Sequence, residues 1–153
     1  MLDWAIPLGS AVAGGIVAAA ASIWATQKSH SRSSNREIAM TYSGFYFEII
    51  GIINYANRSL EKNIPYTECK MIDSAGRRAL CEFYSANSDK LYLLEICSVE
   101  LIQSFYINFI SLRGKDIGDG SAVYQSEDIE ECVKLASSAA ESLKGGVYAG
   151  YNR

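Results

Sequence analysis

The sequence predicts an all-α protein: an N-terminal transmembrane helix followed by a small bundle of about four helices. Three observations carry that expectation. The stretch WAIPLGSAVAGGIVAAAASIW, residues 4–24, has no charged side chain and is bracketed by the chain's two tryptophans. Four later segments repeat apolar residues at steps of three and four, the period of a helix that buries one face. Most connections between them are short, as in bundles whose neighbouring helices cover one another's stripes.

Residues 1–27 form the expected anchor. Twenty-four uncharged residues run from Trp4 to Gln27. At ~1.5 Å of rise per residue, Trp4 and Trp24 stand ~30 Å apart on a helix, the hydrocarbon thickness of a bilayer, and indole rings gather at its two interfaces. The aliphatic drive is modest. Ile6, Leu8, Val12, Ile16, Val17 and Ile23 supply about −2 to −4 kcal/mol on an insertion scale. A secretory signal would carry a basic leader, whereas Met1, Leu2 and Asp3 precede the run; its A-x-A sites keep cleavage as the rival reading. Lys28, Arg32 and Arg36 follow the span and no basic residue precedes it. The positive-inside rule then leaves the N-terminus outside the inner (cell) membrane and the rest of the chain cytoplasmic. Within the span, Ser10, Gly14, Ala18 and Ser22 recur every four residues, a small-residue stripe of the kind along which membrane helices self-associate.

Residues 28–36 read as a basic polar linker, closed by a capping box in which Ser34 and Glu37 would start the next helix. The bundle domain spans 37–144. Its first helix has a heptad seam, Ile38, Tyr42, Phe45, Ile49, Ile52 and Ala56, and stops at Asn63-Ile64-Pro65. A second, weaker pattern over 66–85 runs through Ile72, Ala75, Ala79 and Phe83. Asn87-Ser88-Asp89 breaks it, ahead of a compact apolar turn at 91–94. Ser98 would cap a third helix with a face of Val99, Ile102, Phe105, Phe109 and Leu112. The glycine-rich stretch 113–125 reads as a loop. Ser126 and the acids Glu127, Asp128, Glu130 and Glu131 open a fourth helix, with Ile129, Val133, Ala136, Ala140 and Leu143 along its stripe. Lys144 and Gly145-Gly146 would close it, leaving 145–153 as a flexible tail.

Charge and chemistry exclude several classes. Residues 37–153 hold 11 basic and 16 acidic side chains, so no nucleic-acid surface is expected. Cys69, Cys81, Cys97 and Cys132 are 12, 16 and 35 residues apart without a C-x-x-C, and the lone His30 lies in the polar linker. Zinc is therefore not expected, and a cytoplasmic site keeps the thiols free. Catalysis lacks an imidazole in the folded domain, so no catalytic residue and no cofactor are expected. Asp116 and Glu127 have the outer spacing of a calcium loop, but Gly118, Gly120 and Ser121 occupy its positions 3, 5 and 6. Arg77 and Arg78, adjacent and so ~100° apart on a helix, read as surface charge. Glu48 reads as either solvated or a polar contact between subunits.

The segment FYSANSDKLYLLEICSVELIQSFY, residues 83–106, resembles a set of uncharacterised bacterial single-pass membrane proteins with a small cytoplasmic helical domain. The matching residues are Tyr84, Ala86, Asn87, Lys90, Leu91, Leu93, Leu94, Phe105 and Tyr106. The resemblance implies an inner-membrane location and assigns no activity. Taken together, the sequence points to a self-associating, membrane-anchored module that binds the bilayer and a protein partner. The rival is a small effector whose oligomerised anchors perturb the bilayer.

Overall fold

The computed structural model describes residues 5–62 and 67–151; side chains are described for Thr26, 33–62 and 67–147. The elements run α1 (Ala5–Glu61), β1 (Glu68–Ile72), α2 (Ser74–Leu80), α3 (Glu82–Asn87), a 3₁₀ turn (Ser88–Leu93), α4 (Ile96–Ser111), β2 (Lys115–Gly118), β3 (Ser121–Gln125) and α5 (Ser126–Tyr151). The chain divides into two units, Met1–Glu37 and Ile38–Arg153.

The first unit is helical from Ala5 onward. The expected linker at 28–36 is helical too. It contains neither Gly nor Pro, and its serines and asparagine each cost only a few tenths of a kcal/mol in a helix, less than nucleating a fresh one. Ser34 and Glu37 consequently lie inside α1 rather than at its start. Among the described residues, no helix is long and apolar enough to cross a membrane. Trp4, and the side chains of Ser10, Gly14, Ala18, Ser22, Trp24, Lys28, His30 and Arg32, lie outside the described residues; Arg36 is exposed.

The second unit is mostly helical, but a three-stranded antiparallel sheet of order β1-β3-β2 corrects the all-α expectation. Glu68 pairs with Gln125 and Ile72 with Ser121. In β1 and β3 the residues that point inward alternate, Cys69 and Met71 against Ala122 and Tyr124, all buried. The stretch expected to begin a helix at 66 is therefore a strand, because a partner about 50 residues away supplies its hydrogen bonds. The expected loop 113–125 is a hairpin. Asp119 and Gly120 turn it with φ of +53° and +72°, the left-handed pair that a two-residue Asp-Gly connection favours. Asp116, the would-be first calcium ligand, accepts from the Gly118 N–H at 2.8 Å within this hairpin.

The core confirms the seam of α1. Tyr42, Phe45, Ile49, Ile52 and Ala56 are buried and Ile38 packs beside them. Burial of each large aliphatic or aromatic among them contributes roughly 1.5–3 kcal/mol. Ile102, Phe105 and Phe109 of α4 and Ile129, Ala136, Ala140 and Leu143 of α5 complete it, with Val99, Leu112 and Val133 partly covered. Ser98 does not cap α4. It sits in the first turn, fully buried, and its hydroxyl donates to the Ser142 carbonyl of α5 at 3.3 Å. Glu95 takes the cap position instead. In α2, Ala75 and Ala79 are exposed, and the inward residue is Arg77.

The expected stop at Gly145-Gly146 is also corrected, since α5 continues to Tyr151. Gly146 is there to let a ring in. A Cβ on it would stand 2.1 Å from the Tyr42 ring, whose hydroxyl accepts from the Glu95 N–H at 3.2 Å.

Candidate functional site

One carboxyl and one guanidinium side chain turn inward, and each closes the end of a helix it does not belong to. Glu48 lies on the flank of α1, beside the seam. Its carboxylate accepts from the backbone N–H of Phe83 at 2.5 Å and of Tyr84 at 3.1 Å, the unpaired donors in the first turn of α3. It also accepts from the Tyr106 hydroxyl of α4 at 2.5 Å. One side chain thus ties three helices, and its negative charge sits at the positive end of α3. Of the two readings offered for Glu48, neither describes this intramolecular role. Tyr106 stacks on Tyr84 with ring centroids 4.0 Å apart and planes 15° apart. Burial, and then the hydrogen bond to Glu48, push its phenol well above the usual range.

Arg77 does the opposite at the C-terminal end of α4. It is 1% exposed, against the expectation of surface charge, whereas Arg78 is exposed. Its guanidinium donates to the carbonyls of Phe109, Ile110 and Leu112, the last of these at 2.8 Å, where α4 runs out of N–H partners. The same group lies 5.0 Å from the Tyr124 ring centroid and 6.0 Å from that of Phe109. Asp73 fixes α2, on which Arg77 stands, by accepting from the Gly76 N–H at 2.8 Å. Tyr124 fixes β1 and β3 by donating to the Ile72 carbonyl at 2.9 Å.

The thiols near these groups are quiet. Burial, reinforced by the Glu48 charge and opposed by Arg77, raises Cys81 to about 12. Burial raises Cys132 to about 12 as well, with Arg77 opposing it. Both stay protonated and unreactive at neutral pH. All four cysteines are unpaired thiols, and Cys97 is the exposed one.

Among the described residues, no cluster of histidine, cysteine and acidic side chains could hold a metal ion. A cavity of about 10 Å³ lies between α1, α4 and α5, lined by Ile52, Ala56, Phe105, Phe109, Cys132 and Ala136 among others. It has room for about one water, and its apolar lining keeps it dry. Most of the inward polar groups are spent on helix ends and on one another; among the described residues Arg77 Nε and Asn108 Oδ1 are buried without a hydrogen-bond partner. The sequence signals for the two helix closures were faint: a carboxylate flanking an apolar seam, and an arginine four residues after a capping aspartate.

Several large apolar side chains also stand on the surface. Met40 and Phe47 of α1 are 63% and 60% exposed, and Tyr92, Ile96 and Ile107 are exposed around α4. Comparison of the chain with protein-family models, curated proteins and solved structures finds no match.

Proposed function

We propose that this chain is a membrane-anchored, self-associating helical module that binds other proteins and performs no catalysis. The observation that carries the reading is the run of 24 uncharged residues between Asp3 and Lys28 with a tryptophan near each end. Lys28, Arg32 and Arg36 orient it with the domain in the cytoplasm, and the stripe Ser10, Gly14, Ala18 and Ser22 supplies the packing surface of the anchor. The bilayer is then one partner, a second copy another, and a protein the third. The folded domain supports the non-catalytic part of the reading: the Glu48 carboxylate and the two terminal guanidinium nitrogens of Arg77 close helix ends, and Cys81 and Cys132 are held as neutral thiols. The exposed apolar residues of α1 and α4 offer surface for protein contact.

A second reading is favoured by the two serines of the stripe, which would line a lumen if the anchors formed a ring. The chain would then be a small effector that permeabilises the bilayer.

The test is fractionation of cells expressing the full chain, with protease added from outside. The chain is expected in the membrane pellet after carbonate washing, its C-terminal part protected. Intact chain in the supernatant would refute anchoring, and digestion of the C-terminal part in unbroken cells would refute the orientation. Collapse of the membrane potential on expression would favour the effector over the binding module.

A further inference from the structure

Helix α1 carries a second seam outside its core stripe, exposed at Met40, Phe47 and Asn54 and half-buried at Ser43 and at Ile50, which also touches the core. Met40, Ser43, Phe47, Ile50 and Asn54 recur at steps of three, four, three and four, a heptad register of its own. Met40 and Phe47 are more than half exposed, and Gly51 and Asn54 beside them are exposed as well. Between Ile38 and Asn57 the chain holds one charged residue, Glu48, and its carboxylate is turned onto Phe83, Tyr84 and Tyr106. About five turns of an exposed helix face therefore carry no charge, which is not how a solvated face is built.

Gly51 adds an independent sign. A glycine inside a helix costs about 0.5–1 kcal/mol relative to alanine, so it needs a use. Gly44 and Gly146 have one, since a Cβ on either would strike the ring of Phe83 or Tyr42. Nothing lies within 4 Å of the place a Gly51 Cβ would take. Among the described residues Gly51, like Gly145 of α5, admits no neighbour.

We propose that this outer seam receives the same seam of a second copy, α1 against α1, parallel and related by a two-fold axis. Self-complementarity favours a copy over a foreign partner. In a two-fold contact the residues on the centre line meet their own kind, so any charge there would meet its like, and this seam has none. Gly51 lets the two backbones draw together. Asn54 occupies the register position of Met40 and Phe47, where an asparagine can bond its mate across the axis and penalise staggered pairings. The seam is short, ~21 Å from Met40 to Asn54 at ~1.5 Å per residue. The parallel sense rests on the anchored reading above: copies inserted in one direction in one membrane meet side by side, at a raised effective concentration.

The test uses the full chain in its membrane, with Cys97→Ser removing the exposed thiol and single cysteines introduced as Phe47→Cys, Asn54→Cys or, as a control on the exposed side of α4, Gln103→Cys. Mild oxidation is expected to give covalent dimer at 47 and 54, at least tenfold more than at 103. Equal yields at all three, no dimer at 47 and 54, or a crosslink to a protein of different mass would each overturn the proposal. Adding Phe47→Glu to the Asn54→Cys chain should abolish the crosslink while circular dichroism stays unchanged; a crosslink that survives would also overturn it. Fractionating the same samples scores the anchor separately. A supernatant chain that still dimerises through 47 sinks the anchor and keeps the seam, whereas a pelleted chain that does not dimerise sinks the seam and keeps the anchor.

Discussion

Gly44 and Gly51 sit two turns apart on α1 and face nearly the same way, yet their surroundings differ completely. A Cβ on Gly44 would lie 2.0 Å from the Phe83 ring, while above Gly51 there is open space. Around Gly44 the chain has closed on itself. Phe83 fills the notch and meets Phe45 edge-on with centroids 5.0 Å apart, and Glu48, one turn further along, holds the first turn of α3 in place. Around Gly51 the same helix leaves Phe47 and Asn54 exposed. The contrast separates two uses of small residues on one helix: one admits a ring from within the fold, the other leaves room for something outside it.

The largest expected effect comes from removing what closes the Gly44 side. Glu48→Ala strands three donors in a partly buried site, and about 3 kcal/mol of stability should be lost. Urea unfolding of the chain in detergent measures this, and a loss below about 1 kcal/mol would show that α3 does not depend on Glu48. Gly44→Ala should come next, at about 1–3 kcal/mol of destabilisation from overpacking against Phe83. At neutral pH it should also speed alkylation of Cys81, two residues before Phe83, relative to that of exposed Cys97. By the same comparison Gly51→Ala should go the other way. Measured at dilutions where the chain is monomeric, it should raise stability by about 0.5–1 kcal/mol. A destabilisation would mean that Gly51 is covered within the chain after all.

The effect that vanishes at neutral pH, and so ranks last there, appears only in alkali. Cys81 and Cys132 hold their protons up to about pH 12 in the fold, whereas an unfolded thiol ionises near 9. The unfolded state therefore sheds protons first. The thiols' contribution to stability is complete below about pH 9 and declines as pH climbs from there toward 12. Cys81→Ser and Cys132→Ser should each flatten that alkaline slope. A slope unchanged from the parent chain in both variants would count against neutral thiols in the core.

The helices were legible where their evidence was local. The seam of α1 and the stripes of α4 and α5 announce themselves every three or four residues, and nearly every residue named from that pattern is buried or packs on the core. The sheet was not legible in the same way. Cys69 and Met71 alternate as strand residues should, but five positions are too few to outweigh a helical reading, and the partner strand lies about 50 residues on. Asp119-Gly120 between two extended runs was a hairpin signal read as a plain loop. Arg77 and Glu48 were misplaced for a common reason. What each one holds, the last carbonyls of α4 or the first N–H groups of α3, is more than 30 residues away in the chain. Local pattern has no means of expressing that. The stripe inside the anchor lies outside the described side chains, and the outer seam of α1 is free of charge only because Glu48 turns inward, onto groups more than 30 residues away.

The distance between β1 and β3 also has a bearing on synthesis. Residues 68–72 emerge well before 121–125 exist, and at roughly 5–20 residues per second that interval is about 3–10 s. Throughout it the segment bearing Cys69 and Met71 is without its partner strand, and an unpaired strand is a template on which another chain can pair.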